Sequence, residues 1–405
     1  MNRRRVLLAA LGTAAASLPA GRLLAATDRD ITFTQDFDEF WTTLRDRYCF
    51  FSEKQTDWEQ VRRVYRPLAL EAASRDDFAA IVAEAAFELY DPHTGVSDMP
   101  PGTPRGAISD VLVAYAAGEA RVVALQDGGA AASQGLMRND IIEAVNGVSI
   151  ADAVQSRMPR CLTNADDHAV AFAAGRAVAG TRGEPRRYRV KRTGGKRIDL
   201  VIPTTPRSSS SDVEWRRLED GIGLITIRSF ANDAVVEAFN AALVELRNCP
   251  ALILDVRGNG GGDTAVARPI MGRFIRKAAP YAMMRRRAGE GLSEPWVETV
   301  GPEGPFTFDG PVAVVVDRWS GSMAEGFPMG MKSLGRGVIV GSPMMGLGAA
   351  VFPLRLDRTG IDAQYSAEPV YDAQGNPRWR LRPDIEALDG QDPLILAQQF
   401  LCGSR

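Results

Sequence analysis

Histidine occurs only twice in 405 residues and cysteine only four times. Cys49, Cys161, Cys249 and Cys402 stand far apart and never form a C-x-x-C pair, which argues against a zinc site or a dithiol redox motif. Neither sign of charge dominates. The 48 Lys and Arg nearly balance 50 Asp and Glu, so no global field would recruit nucleic acid or an anionic membrane. A phosphate loop of the form G-x-x-x-x-G-K-[ST] is absent, and the one glycine-rich turn holds no lysine, which makes nucleotide binding a poor reading. No metal and no cofactor are expected. What is present is enough apolar material, 45% of the residues, for packed cores in two or three domains. Export would permit one or two disulfides, but a chain this long does not depend on them.

Three arginines, Arg3 to Arg5, precede an apolar run from Val6 to about Leu18 and small residues ending at Ala25 and Ala26. Residues 1–26 therefore read as an export signal, too short and Ala-rich for a spanning helix. Consecutive arginines directly before the apolar run are similar to a twin-arginine signal; an ordinary secretory signal with a basic start is the alternative. Both send the mature chain to the periplasm or another extracytoplasmic space. No later segment is long and apolar enough to span a bilayer, so no stable membrane insertion is expected after signal removal.

Residues 27–105 read as a small helical bundle. Apolar residues recur at helical spacing (Phe37, Phe40, Leu44, Tyr48; Trp58, Val61, Tyr65; Phe78, Ile81, Val82, Ala85, Leu89), with Asp57 and Ser74 at N-cap positions. Asp91-Pro92-His93-Thr94-Gly95 ends it, because proline cannot continue a helix. Residues 106–203 change to short β-like runs with a turn at Asn146-Gly147. The stretch from Gly135-Leu136 through Asn139-Asp140 to Val145-Asn146-Gly147 resembles a PDZ domain of the bacterial protease type, with Asn139 in place of the usual glycine. Such a domain adds a bound peptide as an extra strand. The segment 151–179 is an insertion with no assigned structure. A serine-rich linker, 204–212, leads to 213–405, where strands and helices alternate and imply an α/β unit with parallel pairing.

Two unalternated apolar runs in that last unit have the pattern of strands buried on both faces. Leu252 to Val256 ends in Gly260, Gly261 and Gly262; Val312 to Val316 ends in Arg318-Trp319-Ser320-Gly321-Ser322-Met323-Ala324-Glu325. Backbone N–H groups in a glycine turn can converge on an oxyanion, and a serine where a strand gives way to a helix is exposed for attack. Together they point to acyl transfer. Ser322 could instead merely cap the helix, with Glu325 completing a capping box. Ser320 reads as a turn residue.

The order strand, D-x-R-x-N-x-GG, strand, S-x-S-x-x-E, in a chain that starts helical and has a PDZ-like middle, resembles the tail-specific or C-terminal processing serine protease family. The resemblance implies a multidomain α/β fold with a crotonase- or ClpP-like core, the nucleophile at Ser322, and oxyanion donors at the N–H groups of Gly261 and Met323. Many members carry a lysine base in a G-x-x-T-x-G-K-G segment. Here that segment is Gly341 to Gly348 and Leu347 stands in the lysine's place; Lys332 is misplaced for the role. Asp91 to Thr94 instead resembles the D-G-H-T segment of the tricorn-like branch, which implies His93 as base; the bland reading is a histidine that orders its loop. His168 reads as a surface residue. Glu368 and Asp384 are candidates for the group that orients His93. The function implied is an exported serine endopeptidase acting on polypeptides, gripped through the PDZ-like unit and in one version by their C-termini. The alternatives are an inactive peptide- or apolar-ligand-binding protein on this scaffold and, more remotely, a crotonase-like acyl-CoA enzyme.

Overall fold

The computed structural model describes residues 28–97, 99–204 and 211–403. The export signal read at 1–26 and most of the serine linker lie outside these residues. Three helices open the described chain: α1 (Asp28–Arg47), α2 (Trp58–Glu71) and α3 (Arg75–Phe87). Asp57 accepts the Gln60 N–H at 2.8 Å and Ser74 that of Asp77 at 3.1 Å, so both N-caps form. Trp58, Val61, Tyr65 and Ala69 line one buried face of α2 against Phe37, Phe40 and Trp41 of α1. Burial of each large apolar side chain contributes roughly 2 kcal/mol. After α3 the chain turns through Tyr90 and the Asp91–Thr94 loop into a two-residue strand, β1 (Gly95–Val96).

An antiparallel sheet follows. Its strands are β2 (Val111–Ala116), β3 (Glu119–Leu125), β4 (Ile141–Val145), β5 (Val148–Ser149), β6 (Arg186–Lys191) and β7 (Arg197–Ile202), in the order β2-β3-β4-β6-β7 with β5 paired to β4. Asn146 and Gly147 both take positive φ in the turn between β4 and β5, as the Asn-Gly pair requires. Besides the short α4 (Ala130–Ser133), the formerly unassigned segment is α5 (Ile150–Gln155) and α6 (Asp167–Ala179). Ala173, Ala174, Ala177 and Val178 of α6 close the sheet's core with Val111, Ile142 and Val190.

The remaining chain builds two sheets. One is the six-stranded sheet β19-β16-β15-β10-β9-β8, made of β8 (Val213–Arg217), β9 (Gly223–Ile227), β10 (Leu252–Asp255), β15 (Val312–Val316), β16 (Val338–Gly341) and β19 (Ile385–Glu386). It is parallel except for the β8–β9 pair. Helices α7 (Ala234–Leu246), α8 (Thr264–Gly272) and α9 (Met323–Ser333) cover one face, which presents Leu252, Leu254, Val312 and Val314; α10 (Pro393–Gly403) packs Ala397 and Leu401 on the other, against Ile253, Ala313 and Val315. Both faces of the central strands are buried, which is why their sequences do not alternate. The second sheet has β1 beside β18 (Asp362–Tyr371), then β11 (Ala279–Met284) and β14 (Trp296–Val300), with β17 (Ala349–Arg355) paired to β18; β12 (Arg287–Ala288) and β13 (Gly291–Leu292) form a small hairpin. Strand β18 joins the molecule's halves: Ala363, Tyr365 and Ala367 pack into the core of α1–α3, while Val370 belongs to the core under α9. The expected α/β class is what the structure shows. No helix among the described residues is long and apolar enough to cross a membrane, and all four cysteines are free, Cys402 alone being exposed.

Candidate active site

Neighbouring parallel strands β10 and β15, with Asp255 opposite Val315, end side by side and release two turns that bond to each other. Asp317 Oδ1 accepts the N–H groups of Gly258 at 3.0 Å and Trp319 at 2.9 Å. Ser320 is fully buried, and its hydroxyl donates to the Val256 carbonyl at 2.8 Å. It therefore ties the two turns together. Asn259 reaches three ways: its carbonyl accepts the Gly321 N–H at 2.9 Å, Nδ2 donates to the Ile227 carbonyl at 3.0 Å, and Oδ1 accepts the Gly261 N–H at 2.8 Å. Asp255 and Arg257 pair at 2.7 Å, so every polar member of the D-x-R-x-N motif has a structural partner.

These bonds bring the chain into α9 through Ser322 at φ 54° and ψ −116°. Such a backbone costs an L residue on the order of 1–3 kcal/mol and persists only where the surroundings enforce it. The gain is exposure: a sharp strand-to-helix turn lifts the hydroxyl clear of the backbone. Ser322 and Glu325 face each other as a capping box, yet the firm bond is the carboxylate half, from the Ser322 N–H to Glu325 Oε2 at 2.9 Å; the Ser322 hydroxyl makes no capping bond. The hydroxyl faces a cavity of about 310 Å³ lined also by Gly262, Tyr281, Met323, Met329, Ala349 and Arg378.

Glu325 is almost completely buried. Besides Ser322 it accepts the N–H groups of Gly346 at 2.7 Å and Leu347 at 2.9 Å. Burial pushes its carboxyl up to about 7 against the opposing pull of Arg378 and of those three N–H groups. Leu347 places its N–H on Glu325 and its carbonyl on Arg378 Nε at 3.1 Å. Its side chain offers no proton acceptor.

His93 is buried and is not among the residues lining that cavity; its loop is held by a different set of bonds. Its N–H donates to Asp91 Oδ1 at 2.9 Å and its carbonyl accepts from Gln364 Nε2 of β18 at 2.9 Å. Asp91 Oδ2 in turn accepts the hydroxyls of Thr94 at 2.9 Å and Ser366 at 2.7 Å. Asp91 fixes the loop's backbone and leaves the ring free. Around the imidazole stand the Ala349 carbonyl and the Arg378 guanidinium, and both residues line the Ser322 cavity. Desolvation, opposed by Asp91 and assisted by Arg378, drives the ring down to about 4, so it is neutral at pH 7. Nδ1 is buried without a partner, and no hydrogen bond among the described residues joins His93 to Ser322.

The other residues singled out in the sequence fall as follows. The Met323 N–H, first of α9, has no partner among the described residues, as expected of a helix N-terminus. The Gly261 N–H, expected as an oxyanion donor, donates to Asn259 Oδ1 at 2.8 Å, an Asn two residues earlier curling its side chain back onto the turn. Gly261 has φ +112°, and a Cβ there would sit 2.7 Å from that of Ser322, so only glycine fits between the two turns. Asp384 pairs with Lys332 and accepts the Ile339 N–H at 2.9 Å, away from His93. Glu368 pairs with Arg286 at 2.9 Å and makes no hydrogen bond to the ring. His168 is exposed at the start of α6. Sequence reasoning missed Arg378 and Asn259 as members of the site; Asn259 was signalled by its place in the motif, whereas Arg378 lies in a short 3-10 turn with no pattern to mark it.

Comparison with known proteins bears on this geometry. The model of the family described as peptidase family S41 matches residues 221–387, and that of the tricorn protease C1 domain matches 31–86. Carboxy-terminal processing protease CtpB of Bacillus subtilis (strain 168) is 24% identical over 317 residues, covering 73% of this chain and 60% of its own length. Tricorn protease homolog 1 of Streptomyces coelicolor is 24% identical over 353 residues, 79% of this chain and 29% of its own. The chain thus spans 60% or less of these two relatives. Among solved structures, mature CPAF complexed with lactacystin superposes with a TM-score of 0.61 at 14% identity, over 93% of this chain and 98% of that one. The photosystem II D1 C-terminal processing protease gives 0.56 at 16%, over 93% and 97%. At these identities the superpositions speak for the fold.

Proposed function

Because this chain belongs to peptidase family S41, we propose that it is a serine endopeptidase whose nucleophile is Ser322 and whose base is His93. The observation that carries the reading is the strained strand-to-helix turn that presents Ser322 to a cavity walled by Ala349 and Arg378, the two residues whose carbonyl and guanidinium also act on the buried His93 imidazole. His93 enters the reaction neutral and takes the Ser322 proton as the hydroxyl attacks the scissile carbonyl. The developing oxyanion accepts the free Met323 N–H; the Gly261 N–H joins it by exchanging Asn259 Oδ1 for the oxyanion. Its charge raises the ring's hold on the proton as the bond forms. The protonated imidazole then passes that proton to the leaving amine, and water hydrolyses the acyl-enzyme by the same steps in reverse order. No carboxylate hydrogen-bonds the ring among the described residues, so the Asp91–Thr94 loop and the Ala349 carbonyl do the orienting.

Residues 106–203 serve in this proposal as a PDZ-like unit that takes a polypeptide segment as an added strand, after the helical region 27–105 and before the catalytic unit 213–405. Export through the segment 1–26 places the enzyme outside the cytoplasm. A fluorophosphonate probe tests the core of the reading. Labelling of the wild type that Ser322→Ala abolishes supports it; a folded, unlabelled wild type favours a binding protein instead.

A further inference from the structure

Arg378 is 5% exposed. Nε and Nη2 donate to the carbonyls of Leu347 and Ala349, at 3.1 Å and 3.0 Å, which locks the guanidinium plane. Nη1 is left without a hydrogen bond among the described residues. It lies 3.4 Å from where a Cβ on Gly326 would stand, one helical turn beyond Ser322, and Gly326 and Arg378 both line the Ser322 cavity. Two carboxylates must be weighed against it. Glu325 acts on Arg378 through space but spends its oxygens on three backbone N–H groups and forms no direct ion pair with it. Asp263, the other charged residue lining the cavity, is exposed and caps α8 through the Ala265 N–H at 2.8 Å. Water screens Asp263, whereas Arg378 acts in a desolvated floor among Tyr281, Met329 and Val370.

We infer that Arg378 sets the specificity of this cavity, which takes a carboxylate-bearing residue of the substrate: an acidic side chain or the terminal carboxylate of the chain. This deepens the reading of the Ser322 cavity as a substrate site and rests on it. A locked guanidinium with one free N–H edge matches a carboxylate, and burial strengthens the bond relative to water.

Equilibrium binding to the Ser322→Ala protein tests this without catalysis. One pair of fluorescent peptides, both amidated, differs only by Glu against Gln at a scanned position; a second pair, free of acidic residues, differs by a terminal acid against a terminal amide. At least one pair should show roughly tenfold tighter binding of the acid, as charge-assisted hydrogen bonds outweigh neutral ones. That gap should close in Arg378→Gln and survive in part in Arg378→Lys, with thermal melts to establish that each is folded. A terminal carboxylate captured elsewhere, in the groove of the β2–β7 sheet, would keep its advantage in Arg378→Gln and so overturn the assignment. Absent or equal binding of both pairs to the Ser322→Ala protein overturns it without any Arg378 variant. Fluorophosphonate labelling of the wild type reports separately on the parent reading: labelled protein with no acid preference sinks the inference alone.

Discussion

Ser322 and His93 are held in place by opposite constructions. Ser322 is held by its own neighbours: Gly321, Glu325 and the adjoining turn of Asn259, all at the ends of two paired strands. His93 is held by Gln364, a residue 271 positions away on β18, and by a carboxylate whose own partners include Ser366. The first is over-determined, with positive φ enforced on Ser322; the second fixes a loop's backbone and leaves the ring with an orphaned Nδ1. Local bonds thus hold the proposed nucleophile rigid, and long-range packing positions the proposed base. Catalytic hydrogen bonds are often long before substrate binds, so the lack of a Ser322–His93 bond fits the adjustable half rather than the rigid one.

Breaking either half should abolish activity by different amounts. Ser322→Ala removes the proposed nucleophile, and peptide hydrolysis is expected to fall by roughly 10⁴-fold or more with an unchanged melt. His93→Gln keeps a neutral, hydrogen-bonding side chain and is expected to cost on the order of 10²–10⁴-fold in kcat. Residual labelling by a fluorophosphonate should persist, slowly, in His93→Gln and vanish in Ser322→Ala. Equal labelling of His93→Gln and wild type would remove His93 from the mechanism.

Glu325 sharpens the comparison, because it belongs to the rigid half yet titrates near neutrality. Glu325→Gln replaces one acceptor oxygen by a donor facing backbone N–H groups, and kcat/KM is expected to drop about 10- to 100-fold. The wild type should lose activity as pH falls through about 7, where Glu325 takes up its proton, and a limb from His93 should follow only near 4. Stability runs the other way for Glu325: its folded value lies above the ordinary 4.5, so the folded state gains protons first and is stabilised as pH falls from about 7 towards 4.5. His93 has a folded value below its ordinary 6.5, so its contribution is lost as pH falls from 6.5 towards about 4. A Glu325→Gln profile that retains the limb near 7 would assign that limb to another group.

The same contrast explains what could be read from the chain. Strand β10, strand β15 and the Ser322 turn were legible because unalternated apolar runs followed by small residues describe local geometry. The role of Ser320 as a turn residue was legible for the same reason. Partner choice was not: spacing cannot tell that Asn259 closes onto Gly261, that Asp384 pairs with Lys332, or that Glu368 goes to Arg286. The neighbourhood of His93 depends on β18 and Arg378, which the fold alone brings together. Segment 151–179 escaped because its helices are short or Ala-rich, with α6 burying alanines rather than a stripe of large residues.

The smallest expected effect bears directly on whether the nucleophile's half is strained. Alanine and serine share a Cβ and meet the same penalty at φ 54°, so Ser322→Ala should leave stability near that of the wild type. Glycine escapes the penalty, worth about 1–3 kcal/mol, but brings about 0.4–1 kcal/mol of extra unfolded-chain entropy. Ser322→Gly should therefore be more stable than Ser322→Ala by about 1 kcal/mol, a rise of a degree or two in Tm for a chain of this size. Both variants lack the hydroxyl, so the difference isolates backbone strain from chemistry. If Ser322→Gly melts no higher than Ser322→Ala, the elbow is relaxed, and the rigidity claimed for this half must come from its hydrogen bonds alone.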